Sequence, residues 1–242
     1  MNTTLHNILF NVYPYVCLAV FFMGSLARFD RDQYTWKSDS SQLLRAGQLR
    51  WGSNLFHGGI LFLFFGHLFG QLTPHAVYEI FITAPQKQLI AVMAGGLAGA
   101  ACFVGLSMLL HRRLTDPRIR LTSHRTDIAI LVILWVQLAL GLATLPSSLH
   151  HVSEPTTMLR LASYLQGIAT FRPDASLVSG VAWHFQVHML LGMTIFLLFP
   201  FSRLVHIWSG FASVAYLFRP YQLVRSRRLN LPAGHNTPRR ML

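Results

Sequence analysis

The sequence predicts an all-α integral membrane protein, a bundle of five transmembrane helices, and three observations carry that prediction. Of 242 residues, 52% are hydrophobic and only 12% are charged, about half the charged share of an ordinary soluble domain. Five stretches, 8–27, 51–72, 88–110, 128–145 and 181–202, contain no charged residue, and each is close to the ~20 residues that cross a bilayer as a helix. The runs are continuous rather than alternating, which suits helices and not barrel strands. Such a composition excludes disorder. Two cysteines, Cys17 and Cys102, are too few for a disulfide framework or a zinc site, and no C-x-x-C-H attaches a haem covalently.

The first span reads as a retained helix. Met1–His6 carries no cationic segment, and no small-residue cleavage site precedes Arg28. Residues 28–50 then hold five cations, Arg28, Arg31, Lys37, Arg45 and Arg50. The second span brings His57 and His67, each flanked by glycine: Gly58 and Gly59 follow the first, and Gly66 precedes the second. A short connection, 73–87, ends at Lys87. The third span contains Gly95, Gly96 and Gly99, which fit plain helix packing. Five more cations occupy 111–127, among them Arg112 and Arg113.

The connection after the fourth span, 146–180, is longer than loops usually are without structure of their own. Within it Ser153-Glu154-Pro155 reads as a helix start, and Met158, Leu159, Leu161, Ala162 and Leu165 follow at helical spacing. A short amphipathic helix lying on the outer membrane surface and capping the bundle is expected there. The fifth span carries His184 and His188, with His206 at its end. Residues 1–225 form the membrane domain, and 226–242 form a basic tail.

Charge sets the orientation. Seventeen of the twenty Lys and Arg fall in 28–50, 111–127 and from Arg203 onward, against Lys87, Arg160 and Arg172 in the alternate segments. The positive-inside rule puts the rich side in the cytoplasm, the N-terminus outside and the C-terminus inside. The net charge of +12 thus belongs to short juxtamembrane segments facing anionic lipid, and no nucleic-acid-binding motif accompanies it.

Ionisable residues within a membrane span are functional candidates by default. On ideal helices His57 and His67 lie about 15 Å apart along the axis, and His188 and His206 about 27 Å apart on one face. Spans two and five run antiparallel, so His57 lies at the cytoplasmic end with His206, and His67 in the outer half with His188. Two cross-helix pairs are the arrangement that holds two stacked haems between facing helices. The unequal separations require helix tilt or a bend at Pro200. A haem-free proton-relay transporter is the competing reading. All eight acids lie at or beyond span ends, which favours haem. His184, one turn before His188, reads as a packing residue or rival ligand. His6, His75, His111, His124, His150, His151 and His235 read as solvated.

At these residues the chain closely resembles the membrane-anchored cytochrome b (gamma) subunit of respiratory nitrate reductases. The resemblance rests on YPY at 13–15, ARFDRDQYTW at 27–36, SNLFHGGILFLFFGHLFGQLTPHAVYE at 53–79, MAGG at 93–96, RRLTDPRIR at 112–120, HFQVHMLLGMTIFLLFPFSRLVHIWS at 184–209 and YQLVR at 221–225. It implies a bacterial inner-membrane cytochrome with two non-covalent b haems that oxidises quinol on the outer side. It implies His67 and His188 as outer-haem ligands, and His57 and His206 as inner-haem ligands. Gly66, His67 and Lys87 match positions at the quinol site. Arg112 and Arg203 are candidates for the haem propionates. No iron–sulfur cysteine cluster or nucleotide fold is present in the sequence. The resemblance therefore implies an iron–sulfur beta subunit and a molybdenum-containing alpha subunit as partners, with nitrate as acceptor. A dihaem cytochrome b of another quinol-linked reductase, such as a heterodisulfide-reductase-like complex, is the alternative.

Overall fold

The computed structural model describes residues 3–31 and 46–208. Among these the secondary structure is helical throughout. Helix α1 (Thr3–Asn7) passes through a π-helical turn, Ile8–Val12, into α2 (Tyr13–Arg31). Then follow α3 (Ala46–Leu72), the single-turn α4 (His75–Tyr78), α5 (Ala84–Thr115), α6 (Pro117–Leu121), α7 (Arg125–Ala143), α8 (Leu145–His150), α9 (Thr156–Ala169) and α10 (Trp183–Leu198). Among the described residues five helical segments are long and apolar enough to cross a membrane: Thr3–Arg31, Gly47–Leu72, Ala84–Thr115, Arg125–His150 and Trp183–Phe201. They correspond one for one to the expected spans. The expected tail, 226–242, lies outside the described residues.

Local chemistry fixes the ends of the long helices. Thr83 and Gln86 form a reciprocal capping box at the start of α5, with Pro85 beside it. Asp116 ends α5 in extended conformation and caps α6 by accepting from the Arg118 and Ile119 amides. The fifth span departs most from expectation. Its α-helix stops at Leu198, Phe199–Phe201 forms a 3₁₀ turn around Pro200, and Ser202 is extended (φ −117°, ψ 175°) before a second 3₁₀ turn, Arg203–Val205. Pro200 lacks the N–H that would continue the ladder.

Packing divides the molecule into layers. Helix α3 lies on α5 and touches α9, α5 lies on α7, and α10 lies between α2 and α7. Gly59 and Gly105 make the α3–α5 contact close: an added Cβ would come within 2.6 Å of Cys102 Cβ at Gly59 and 2.5 Å of the Phe56 amide nitrogen at Gly105. One core cluster, Phe10, Tyr164, Ile168, Ala175 and Val178, ties the first span to α9. Another, Phe21, Ile130, Phe199, Leu204 and Val205, surrounds the break in the fifth span. Cys102, Leu106 and Leu138 form a third between α5 and α7.

The helix expected in the long connection is α9, and it closes one end of the bundle. Tyr164 donates its hydroxyl to Phe10 O at 2.6 Å, and Tyr15 donates to Ile168 O at 3.2 Å. Gln166 donates to Gln71 O and Thr73 O at the end of α3. His6 corrects the solvated reading given to it. Its Nε2 lies 2.9 Å from Ala175 O and its ring 4.7 Å from that of Phe10, so it joins α1 to the same cap.

Candidate functional site: two histidine pairs between α3 and the fifth span

Each predicted pair is assembled. The His57 and His206 rings have centroids 6.2 Å apart and planes at 75°. The His67 and His188 rings are 6.3 Å apart with planes at 41°. The pairing makes α3 and the fifth span antiparallel. Ten residues of unbroken α3 separate the two levels by about 15 Å. Between His188 and His206 the α-helix ends at Leu198 and Ser202 is extended, so the regular rise that predicts their longer spacing is interrupted.

Two residues of α2 support that break, one turn apart. Arg28 donates to Pro200 O at 2.7 Å and Ser202 O at 2.9 Å, so one guanidinium spans the interrupted stretch. Gly24 gives the proline ring its space, since a Cβ there would stand 2.8 Å from Pro200 Cγ.

The spacing fits a metal held from two sides. A metal–imidazole bond is about 2 Å, and the coordinating nitrogen lies roughly 1 Å from its ring centre, so an axial pair has centroids about 6 Å apart. All four rings are also in the tautomer such bonding requires. Nδ1–H of His57 donates to Ser53 O at 2.8 Å, that of His67 to Leu63 O at 2.8 Å, that of His206 to Arg203 O at 2.6 Å, and that of His188 to Gln137 O at 3.2 Å. The Nε2 lone pair is thereby left as the ligating atom. Among the described residues no group of three or more His, Cys, Asp or Glu could hold a bare metal ion. The pairs therefore suit a metal that arrives with its own equatorial donors, as iron does in haem.

The glycines beside the paired histidines separate into two kinds. Gly59 is filled by α5, whereas a Cβ at Gly58 or Gly66 would meet nothing within 4 Å. Gly66 thus leaves room next to His67. In the third span Gly99 packs on Leu142 of α7, as plain helix packing predicts. His184 joins neither pair. Its ring lies between those of Trp183 and Phe185, and its Nε2 is buried without a hydrogen bond.

Lys87 sits in the first turn of α5, not against either pair. Its Nζ lies 3.6 Å above the centre of the Tyr78 ring, and that ammonium and the Tyr78 hydroxyl are both buried without a hydrogen bond. The α3–α5 register, with Gly52 opposite Gly105 and Gly59 opposite Cys102, brings Lys87 about one to two turns beyond His67.

At the opposite end, Asp127 is 8% exposed and its Oδ2 takes Arg113 Nη1 at 3.3 Å and Arg203 Nη1 at 3.2 Å. Arg203 is the residue whose carbonyl anchors His206. Arg112, beside Arg113, is buried at 2% exposure. Sequence reasoning placed Asp127 only at a span end. It missed Gln137, which meets His188 with both its backbone and its side chain. The signal was available: between Ile128 and Ala143, Gln137 is the sole amide, hydroxyl or charged side chain.

A helical bundle with five segments long and apolar enough to cross a membrane, carrying two imidazole pairs at separate levels, defines a multispan membrane protein with two candidate metal-ligand sites. The comparisons are narrower. Residues 6–227 match the nitrate reductase gamma subunit family. The chain is 51% identical over 221 residues to the respiratory nitrate reductase 2 gamma chain of Escherichia coli strain K12, covering 90% of this chain and 96% of that one. It is 50% identical over 219 residues to the respiratory nitrate reductase 1 gamma chain of the same organism, with the same coverage. It is 38% identical over 223 residues to the nitrate reductase gamma chain of Bacillus subtilis strain 168, covering 91% and 98%. The protein belongs to the nitrate reductase gamma subunit family and is thus a membrane subunit of a nitrate reductase complex.

Proposed function

We propose that this chain is the cytochrome b subunit through which a respiratory nitrate reductase takes electrons from quinol. The carrying observation is the pair of axial-ligand geometries, His57 with His206 and His67 with His188, each ring anchored through Nδ1. Two b haems held there supply one-electron carriers at two depths of the membrane. The histidines contribute ligation and fix ring orientation; the backbone carbonyls that accept their Nδ1–H bonds raise the basicity of the ligating nitrogens.

The cation distribution supports an orientation with the N-terminus and α9 outside and Arg113, Asp127 and Arg203 at the cytoplasmic side, in a bacterial inner membrane. Quinol then meets the protein beside His67. Gly66 leaves the approach open there, and Lys87, about one to two turns further out, offers an N–H donor to a quinol oxygen. Protons leaving that oxygen are close to the outer water phase. At the inner end, a guanidinium has five N–H donors, so Arg203 can hold Asp127 and a haem propionate together, and Arg112 is placed one residue from Arg113. The acceptors of the electrons are an iron–sulfur beta subunit and a molybdenum-containing alpha subunit, docked on the basic face.

The test is spectroscopic. Purified complex should show a b-type band on reduction, with two haems per gamma chain, and quinol should reduce them. His188→Gln should remove one haem and leave the other, and His206→Gln should do the converse. Absence of any b-type band, or loss of both or neither haem in each variant, would overturn the reading. Lys87→Ala should impair quinol oxidation while both haems stay bound.

A further inference from the structure

The four histidines are not anchored alike. His57, His67 and His206 donate Nδ1–H to carbonyls three or four residues earlier in their own chain segment. His188 donates to a different helix, at Gln137 O of α7. The contact is reciprocal, because the Gln137 side-chain amide donates to His188 O at 3.0 Å and lies 3.5 Å from His188 Nε2.

The two helices also exchange space. A Cβ on Gly141 would stand 2.9 Å from His188 Cε1, and one on Gly192 would stand 3.2 Å from Gln137 Nε2. Each helix therefore presents one polar side chain and, one turn later, one glycine into which the other's side chain fits. An amide in the middle of an apolar span needs a reason to be there. This one keeps its Oε1 buried and unpaired, a costly arrangement that the grip on His188 accounts for.

We infer that Gln137 and Gly141 on the fourth span are the positioning residues of the His188 ligand, so that the rotation and basicity of this imidazole are set by α7–α10 packing. This rests on the haem reading above and extends it to a helix that supplies no ligand. A ligand's hydrogen-bond partner and ring orientation tune the metal it holds. The haem on His188 should therefore respond to α7 while the haem on His206 does not.

The experiment uses the whole complex in its own membranes, with haem content, optical redox titration and the low-spin ferric spectrum as readouts. The His188→Gln and His206→Gln variants identify which signal belongs to which pair. Gln137→Met, similar in volume and apolar, should retain two haems per gamma chain. It should shift both the midpoint potential and the low-spin signal of the His188 haem, leaving the other haem at its wild-type values. Gly141→Ala should shift the same component further or reduce the haem content from two to one. If Gly141→Ala prevents assembly, Gln137→Met decides alone. Wild-type potentials and signals for both haems in Gln137→Met, or a change confined to the His206 haem, would overturn the assignment. A wild-type complex without haem would instead overturn the reading of the two pairs as haem sites, a separate and distinguishable failure.

Discussion

The His57–His206 and His67–His188 pairs have nearly equal ring separations, 6.2 and 6.3 Å, yet they are built by different means. At the first pair both imidazoles are fixed by their own local backbone. Charge surrounds it, with Asp127 between Arg113 and Arg203, and α2 braces the broken helix through Arg28 and Gly24. At the second, one imidazole depends on the neighbouring helix, and the contacts are an amide, a carbonyl and two glycines. Similar ring separations can thus arise from local turn structure with buried charge, or from interhelical fit without charge. The two designs should fail under different substitutions.

The largest contrast after ligand removal is at Asp127. Replacing it with Ala leaves Arg113 and Arg203 facing each other across a site that is 8% exposed. Breaking a buried pair in this way costs about 3–5 kcal/mol, and the complex should denature at a markedly lower temperature. The His206 signal should be perturbed more than that of His188. Arg28→Met comes next. It retains much of the side-chain bulk but removes two charge-assisted bonds to Pro200 O and Ser202 O, and the loss should be about 1.5–3 kcal/mol. Thermal melts together with the His206 spectrum check this, and an effect confined to His188 would reverse the assignment of α2 to the first pair.

Two glycines on one face of α3 sharpen the comparison further. Gly59→Ala places a Cβ 2.6 Å from Cys102 Cβ and should destabilise the chain by about 1–3 kcal/mol through overpacking. Gly66→Ala meets nothing within 4 Å and should leave stability within about 0.5 kcal/mol while hindering quinol at His67. Comparing melting temperature with quinol-reducible haem separates the two. The last contrast belongs to the cap, far from the first pair. Tyr164→Phe removes one buried bond to Phe10 O, worth about 1 kcal/mol, and should leave the His57–His206 signal unaltered.

The five spans, the antiparallel pairing and the helix within 146–180 were legible because each depends on one segment's composition, periodicity or length. A bend at Pro200 was legible as one of two ways, beside helix tilt, to absorb the unequal histidine spacing, since proline breaks the ladder inside a helix. How the chain turns there was not, because Ser202 is held by Arg28 from a residue 174 positions away. Gln137, Gly141 and the Asp127 cluster were missed for the same reason: their partners come from other helices, and helical spacing within one span carries no record of them. His6 misled because a histidine near a terminus usually faces water, whereas here Ala175 meets it.

Because Ser202 is extended between the two histidine-bearing parts of the fifth span, His188 and His206 do not share one rigid axle. On an unbroken helix, any roll that improved the seating of one imidazole would swing the other by the same angle. With a swivel between them, each ring answers to its own surroundings. Drift in the amino acids around one of them can then adjust that position without detuning its counterpart.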